Sequence, residues 1–215
     1  DTRVTKNLFK LLNIKISNKK WISYNDHNGP FKTRRIINDI NNSKVISFVS
    51  DAGTPLLSDP GYKLVQEALK NKMQIISIPG PSAITASIVI SGAKTDKFLF
   101  LGFIARKKTD YIKILKRYSS LNIPIIVFEK SKRIKFLVEL IFNWYESAKL
   151  IITRELTKIH EEVIYVDITN FEKYIKNDLK IKGEFTIILE LKTKIKEVIF
   201  SNDVLLEELK TFKPS

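Results

Sequence analysis

Short apolar runs alternate with segments of helical spacing along most of this chain, and that alternation most constrains its fold. Residues 20–24, Val45–Val49, Met73–Ile78, 98–104, 124–129, 149–154, 162–166 and 184–191 read as strands. Residues 3–12, 31–41, 60–71, 82–91, 107–119, 131–143 and 169–177 read as helices. In the first of these, Val4, Leu8, Leu11 and Leu12 fall on one face. Asp26–Pro30 is a turn, Asp59 and Pro60 suit the N-cap and first position of one helix, and Ser82 can cap another. Strands that feed helices define an α/β architecture. Two α/β domains are expected: a parallel sheet over residues 1–93 and a mixed sheet over 97–192, joined by the polar Gly92–Asp96 stretch. The second sheet is expected to be mixed because residues 149–166 read as a β-pair. Residues 193–215 read as a tail or an incomplete further segment. The sequence opens at Asp1 directly in a helical pattern, which points to a first strand upstream.

With 215 residues, 44% of them hydrophobic, the chain can bury two cores. It has no cysteine, which excludes a disulfide scaffold, thiolate metal sites and a cysteine nucleophile. No apolar run approaches the roughly 18 residues of a membrane span. No signal-peptide pattern is visible, so a soluble cytoplasmic protein with no membrane partner is expected. The net charge is +14, and it is unevenly placed. Residues 1–35 hold nine basic and two acidic side chains, and residues 104–135 hold ten and two. Residues 50–100 and 154–215 are near balance. A composition rich in Lys, Ile and Asn explains abundant lysine but not two basic blocks, which suit a polyanion such as nucleic acid.

Two loops stand out for chemistry. Ser50-Asp51-Ala52-Gly53-Thr54-Pro55 follows one apolar run, and Pro79-Gly80-Pro81-Ser82 follows the next. In open α/β sheets, ligands bind beyond the carboxyl ends of strands. Gly53 permits a tight turn or a close approach to a ligand, Asp51 and Thr54 offer polar groups, and Ser82 opens a helix whose N–H groups point outward. An ordinary turn is the simpler account of either loop alone; two such loops one strand apart suggest one small-molecule pocket. There is no Gly-x4-Gly-Lys-Ser/Thr and no Gly-x-Gly-x-x-Gly, which disfavours a nucleoside triphosphatase or a nicotinamide dehydrogenase. His27 and His160 are the only histidines and lack metal-ligand spacing, so no metal is expected. No Ser-His-Asp or Gly-x-Ser-x-Gly pattern is present.

Taken together, these residues resemble the tetrapyrrole-methylase superfamily and, within it, the 16S ribosomal RNA cytidine 2′-O-methyltransferases. The resemblance runs through Asp1-Thr2-Arg3, Asp26-His27-Asn28, the block Ser50–Tyr62 (SDAGTPLLSDPGY) and Pro79–Ala83 (PGPSA). It continues through Gly102–Lys108 (GFIARKK), Glu129 with Arg133, Arg154–Lys158 (RELTK), Glu161-Glu162 and Lys182–Phe185 (KGEF). The family's first strand and its Pro-Ile-Gly-Asn-Leu loop would precede Asp1. Asn25 stands where some relatives have His, Ala105 replaces a common Pro, and Lys132 a common His.

The resemblance implies a homodimer whose two α/β domains form an active-site cleft and bind S-adenosylmethionine. It assigns the cofactor to Ser50–Pro55 (Ser50, Asp51, Ala52, Gly53, Thr54 and Pro55), to Pro79, Gly80 and Ser82, and to Phe128, Glu129, Arg154, Glu155, Gly183 and Glu184. The implied substrate is a cytidine ribose of 16S ribosomal RNA, free or in the small ribosomal subunit. A ribose hydroxyl is a poor nucleophile and needs a proton acceptor. Glu129, Glu155, Asp26 and His27 are the candidates; for the carboxylates, a salt bridge to a neighbouring base is an equal reading. Arg3, Arg106, Lys107, Lys108, Lys130 and Arg133 are the candidate phosphate contacts, against a plain reading as solvated surface cations. A tetrapyrrole C-methylase of the same fold and a non-catalytic RNA-binding or ribosome-assembly protein are the alternatives.

Overall fold

The computed structural model of the chain describes residues 1–25, 27–42, 44–176 and 182–192. The chain divides into two units, Asp1–Ile90 and Ser91–Ser215.

Helices hold the first unit together: α1 (Thr2–Leu11), α2 (Gly29–Asn41), α3 (Tyr62–Lys70) and α4 (Ala83–Ser91). Ile36 and Ile37 of α2 meet Leu64 and Ala68 of α3, with Ile22, Tyr24, Phe48 and Met73 of the connecting segments packed against them. Tyr24 sets its ring edge-on to Phe48 at 5.6 Å and shares a 3.1 Å hydrogen bond with the Thr33 hydroxyl. Here the expected parallel sheet is corrected. Residues 20–24, 45–49 and 73–78 form no β-ladder among the described residues. Each sends a side chain to the helices but has no strand neighbour to satisfy its backbone, and a strand exists only through such pairing. Their outward side chains lie open: Val45 is 94% exposed and Ile78 81%. The start of α3 is also later than expected. Leu56 (φ 72°) and Ser58 (φ 63°) keep the chain left-handed, so α3 begins at Tyr62 behind Gly61, not at Asp59-Pro60, and no side chain caps it.

Asp39, on the buried face of α2, is gripped by Lys20 Nζ at 2.5 Å and Lys44 Nζ at 2.8 Å. Hydrogen bonds from Lys20 and then Lys44 hold its carboxyl down from 3.8 to about 2. A carboxyl so lowered adds stability that is fully present above its unfolded pKa and lost as pH falls through the folded one. Urea midpoints of the protein should therefore drop between about pH 4 and pH 2, and Asp39→Asn should remove that part of the drop. Identical acid profiles for the two proteins would count against the grip.

The second unit is a five-stranded sheet in the order β1-β2-β5-β3-β4. Its strands are β1 (Leu99–Phe103), β2 (Ile125–Lys130), β3 (Lys149–Arg154), β4 (Glu162–Val166) and β5 (Glu184–Glu190). β1 runs parallel to β2, while β2·β5, β5·β3 and β3·β4 are antiparallel, so this sheet is mixed as its sequence suggests. The β1–β2 crossover is α5 (Lys108–Ser119), and α6 (Ile134–Trp144) and α7 (Phe171–Lys176) complete the unit. Alternate residues of β2, β3 and β5 point to one face, as the two-residue period of a strand requires. Ile125, Val127, Leu150, Ile152, Ile187 and Leu189 meet Tyr111 and Leu115 of α5 and Leu137, Val138 and Ile141 of α6 there. This is the main core of the described chain.

Candidate active site

In the first unit, the two loops singled out by sequence come together. Thr54 Oγ1 donates to Pro81 O at 3.0 Å, and a Cβ on Gly53 would stand 3.7 Å from that same oxygen. Ser50 Oγ donates to Gly53 O at 2.7 Å and Ala52 O at 3.2 Å, which closes the Ser50–Pro55 turn. The turn needs a left-handed residue, and Gly53 supplies it at φ 67°. Gly80 has nothing within 4 Å of the position a Cβ would take, so its backbone can be approached closely. Ser82 directly precedes α4, and its carbonyl accepts from Ala86 N and Thr85 Oγ1.

Of the Asp26-His27-Asn28 turn, Asp26 lies outside the described residues. His27 is exposed, and its N–H donates to Asn25 Oδ1. Arg3 is bound to Asp1 but lines a groove of about 630 Å³ with Lys6, Lys10 and Lys15.

In the second unit, one edge of the sheet gathers the remaining candidates. Antiparallel pairing sets Phe128, Glu129 and Lys130 at the end of β2 opposite Thr186, Phe185 and Glu184 at the start of β5. β3 ends at the same edge, with Arg154 opposite both Phe185 and Glu162. The turn after Arg154 is tied down: Glu155 N donates to Glu184 O at 3.0 Å, and Glu155 Oε1 accepts from Glu184 N at 2.8 Å. Lys158 Nζ reaches both Glu155 and Glu184 at 3.0 Å. The Glu184 N–H first, then Lys158, holds the Glu155 carboxyl below its ordinary range. Arg154 is buried, and its Nε donates to Lys182 O at 2.7 Å while Nη1 lies 3.3 Å from Glu162. A Cβ on Gly183 would fall 2.6 Å from Glu155 Cγ, so the two segments touch.

β1 also ends at this edge, and the basic turn Ala105–Lys108 leaves from it. Arg106, Lys107, Lys108 and Lys130 are exposed and form no ion pair among the described residues. Arg133 differs from them: its guanidinium is engaged by Glu129 and by backbone carbonyls of Ala105 and Arg106. Lys158 and Tyr111 are not among the sequence candidates. The run of acids and bases from Arg154 to Glu162 is a signal for the first; nothing in the sequence marks the second. Among the described residues, no group of acids and histidines is placed to hold a metal ion.

Residues 18–172 match the family of tetrapyrrole (corrin/porphyrin) methylases. Solved structures share the fold: a diphthine synthase superposes with a TM-score of 0.62 at 13% identity, over 88% of this chain and 74% of its own. A uroporphyrin-III C-methyl transferase from Thermus thermophilus, complexed with S-adenyl homocysteine, gives a TM-score of 0.52 at 10% identity, over 77% of this chain and 74% of its own. The architecture is therefore that of a tetrapyrrole-type methylase.

Relatives in sequence narrow the class. A protein named ribosomal RNA small subunit methyltransferase I from Hydrogenobaculum is 37% identical over 189 residues, covering 88% of this chain and 81% of the relative. Its namesake from Halalkalibacterium halodurans is 35% identical over 190 residues, and the chain spans 64% of that relative's length. The one from Mycoplasma genitalium is 34% identical over 216 residues, covering 98% of this chain and 75% of the relative. The chain belongs to the ribosomal RNA small subunit methyltransferase I family.

Proposed function

We propose that the protein transfers a methyl group from S-adenosylmethionine to the ribose 2′-hydroxyl of a cytidine in 16S ribosomal RNA, acting as a cytoplasmic homodimer. The observation that carries the reading is the placement of the basic turn Arg106-Lys107-Lys108. It leaves the same sheet edge at which Glu129, Arg154, Glu155, Gly183 and Glu184 gather, so a polyanion-binding surface and a polar site share one edge. A tetrapyrrole substrate would not require such a turn.

The residues present fit the cofactor. The Gly53 turn and the open backbone at Gly80 form a shallow rim of backbone groups beside Asp51 and Thr54, suited to a flat nucleoside with a charged tail. Ser50–Pro55 and Pro79–Ser82 are the proposed cofactor contacts of the first unit; Phe128, Arg154-Glu155 and Gly183-Glu184 are those proposed for the second. The cofactor supplies a methyl on a sulfonium, already activated for displacement, so no metal is required. What the chain must add is alignment, worth on the order of 7–11 kcal/mol when reactants are held in near-attack geometry. It must also accept the proton of the hydroxyl. Glu155 is a weak acceptor, because Glu184 N–H and Lys158 stabilise its charged form. Glu129 is turned towards Arg133. Asp26 and His27 stand beside them as proposed sources of the base. Arg3, Arg106, Lys107, Lys108 and Lys130 would meet phosphates and position the RNA without reading its sequence.

The assay is methyl transfer to isolated small ribosomal subunits, with the modified nucleotide mapped. A 2′-O-methylcytidine is expected; methylation of a base, or of a tetrapyrrole instead, would overturn the reading. In a parallel titration, replacing Arg106, Lys107 and Lys108 together with alanine should weaken RNA binding. It should also flatten the dependence of log K on log salt by about 2 to 3, near one unit for each phosphate no longer neutralised. An unaltered slope would remove the turn from the RNA surface.

A further inference from the structure

Arg133 sits where three structural elements meet. Its Nη1 donates to Arg106 O at 2.8 Å and its Nη2 to Ala105 O at 3.1 Å. Its Nε lies 3.2 Å from Glu129 Oε1, which also accepts from Lys130 N at 2.8 Å. The guanidinium lies over the Phe136 ring at 5.2 Å and near that of Tyr111 at 5.8 Å. Glu129 is only 6% exposed, and Tyr111 is fully buried.

The same place holds an anomaly. Glu129 Oε2 and the Tyr111 hydroxyl are buried without a hydrogen-bond partner among the described residues, and Arg133 Nε meets Glu129 only as an ion pair, without hydrogen-bond geometry. Burial, and next the nearby Glu129 charge, push the Tyr111 hydroxyl well above its ordinary range. A fold that only needed packing would fill these positions with apolar side chains, because unsatisfied buried polar groups are costly. An acid that immobilises an arginine, whose two outer nitrogens then fasten consecutive carbonyls of one turn, is a bracket for that turn. The guanidinium fork suits this task because its donors are fixed in one plane.

We propose that Glu129 is a positioning residue. Through Arg133 it holds the Ala105-Arg106 backbone so that Arg106, Lys107 and Lys108 face the RNA together. The proposal rests on the reading of the protein as an RNA methyltransferase; it gives Glu129 a role other than proton acceptor or cofactor contact, and Arg133 one other than phosphate contact.

The sign of one charge change provides the test. Glu129→Gln removes a negative charge next to a polyanion-binding turn, so electrostatics alone would tighten RNA binding. The bracket predicts the reverse. RNA affinity is read by titrating a fragment of small-subunit ribosomal RNA at several salt concentrations, without S-adenosylmethionine. Glu129→Gln should bind at least about fivefold more weakly and with a shallower salt slope, because the three cations no longer act together. Arg133→Lys keeps the charge but cannot span two carbonyls, so it should weaken binding in the same way. In methyl transfer, the KM for RNA should rise by more than kcat falls.

Unchanged or tighter RNA binding by Glu129→Gln would overturn the proposal. So would a fall in kcat, or in cofactor affinity, at unaltered RNA affinity, since either would place Glu129 on the reacting groups or the cofactor. Thermal melting checks that each variant is folded; if Glu129→Gln is not, Arg133→Lys decides by the same readout. A wild-type protein that binds the RNA but does not methylate it would sink the functional reading and leave the bracket standing. A wild-type protein that does not bind RNA would sink both.

Discussion

A Gly53→Val variant should lose methyl transfer by about a hundredfold or more while the second unit keeps its melting transition. Space is not the obstacle, since a Cβ at this position would meet only Pro81 O at 3.7 Å. The backbone is. Gly53 holds φ 67°, a conformation that costs a β-branched residue on the order of 1–3 kcal/mol. The cheapest relief is to let the turn open. That breaks the 2.7 Å bond from Ser50 Oγ to Gly53 O and the 3.0 Å bond from Thr54 Oγ1 to Pro81 O, which join the two loops proposed to hold the cofactor. A misplacement of about 1 Å in a site built on alignment can cost about a hundredfold in rate. Calorimetry with S-adenosylmethionine and a methyl-transfer time course measure the effect. Unaltered affinity and rate would show that this turn does not form the cofactor site.

Ile187→Ala should destabilise the second unit by about 2–5 kcal/mol. Ile187 is fully buried, on the central strand β5, paired with Val127 of β2 on one side and Ile152 of β3 on the other. Its side chain faces the helices α5 and α6 in the main core. Truncation there removes transfer energy and leaves a void that two sheet neighbours and two helices cannot close together. Urea denaturation followed by tryptophan emission can read the change, since Trp144 ends α6 and is packed against this core. A change below about 1 kcal/mol would mean the core collapses around the gap.

The second unit is largely legible in the sequence because its signals are local. The apolar run over 98–104 becomes Leu99–Phe103, and the helix expected over 107–119 becomes Lys108–Ser119. The order of the strands is not legible. Nothing in the periodicity of residues 184–191 says that they insert between β2 and β3 rather than join an edge. In the first unit the helices follow their pattern, whereas Val45–Val49 and Met73–Ile78 read as strands from composition alone. Composition reports a preference for extended backbone and cannot supply the neighbour that completes a ladder.

The candidate site shows the same division. The Ser50–Pro55 and Pro79–Ser82 loops announce themselves through glycine and proline, and the structure ties them together through Thr54 and Pro81. Arg133, by contrast, looks in sequence like any cation of a basic block. Only the turn Ser131–Arg133 after β2 brings it back over Glu129, and only the fold places the Ala105 and Arg106 carbonyls within its reach. The Tyr111 hydroxyl has no local signal, because it acquires its place from packing alone.

The strand order carries a consequence for how the molecule is made. β2 and β3 emerge from the ribosome well before β5, yet each has one of its two neighbours in β5, which separates them. Until synthesis passes residue 190, the nascent polypeptide holds two apolar ribbons, β2 mated only to β1 and β3 only to β4, each with its inner edge unsatisfied. Zipping them to each other would bury them in a wrong register. A chain so ordered benefits from swift elongation through its last third, or from a chaperone that shields β2 and β3 until the missing ribbon arrives.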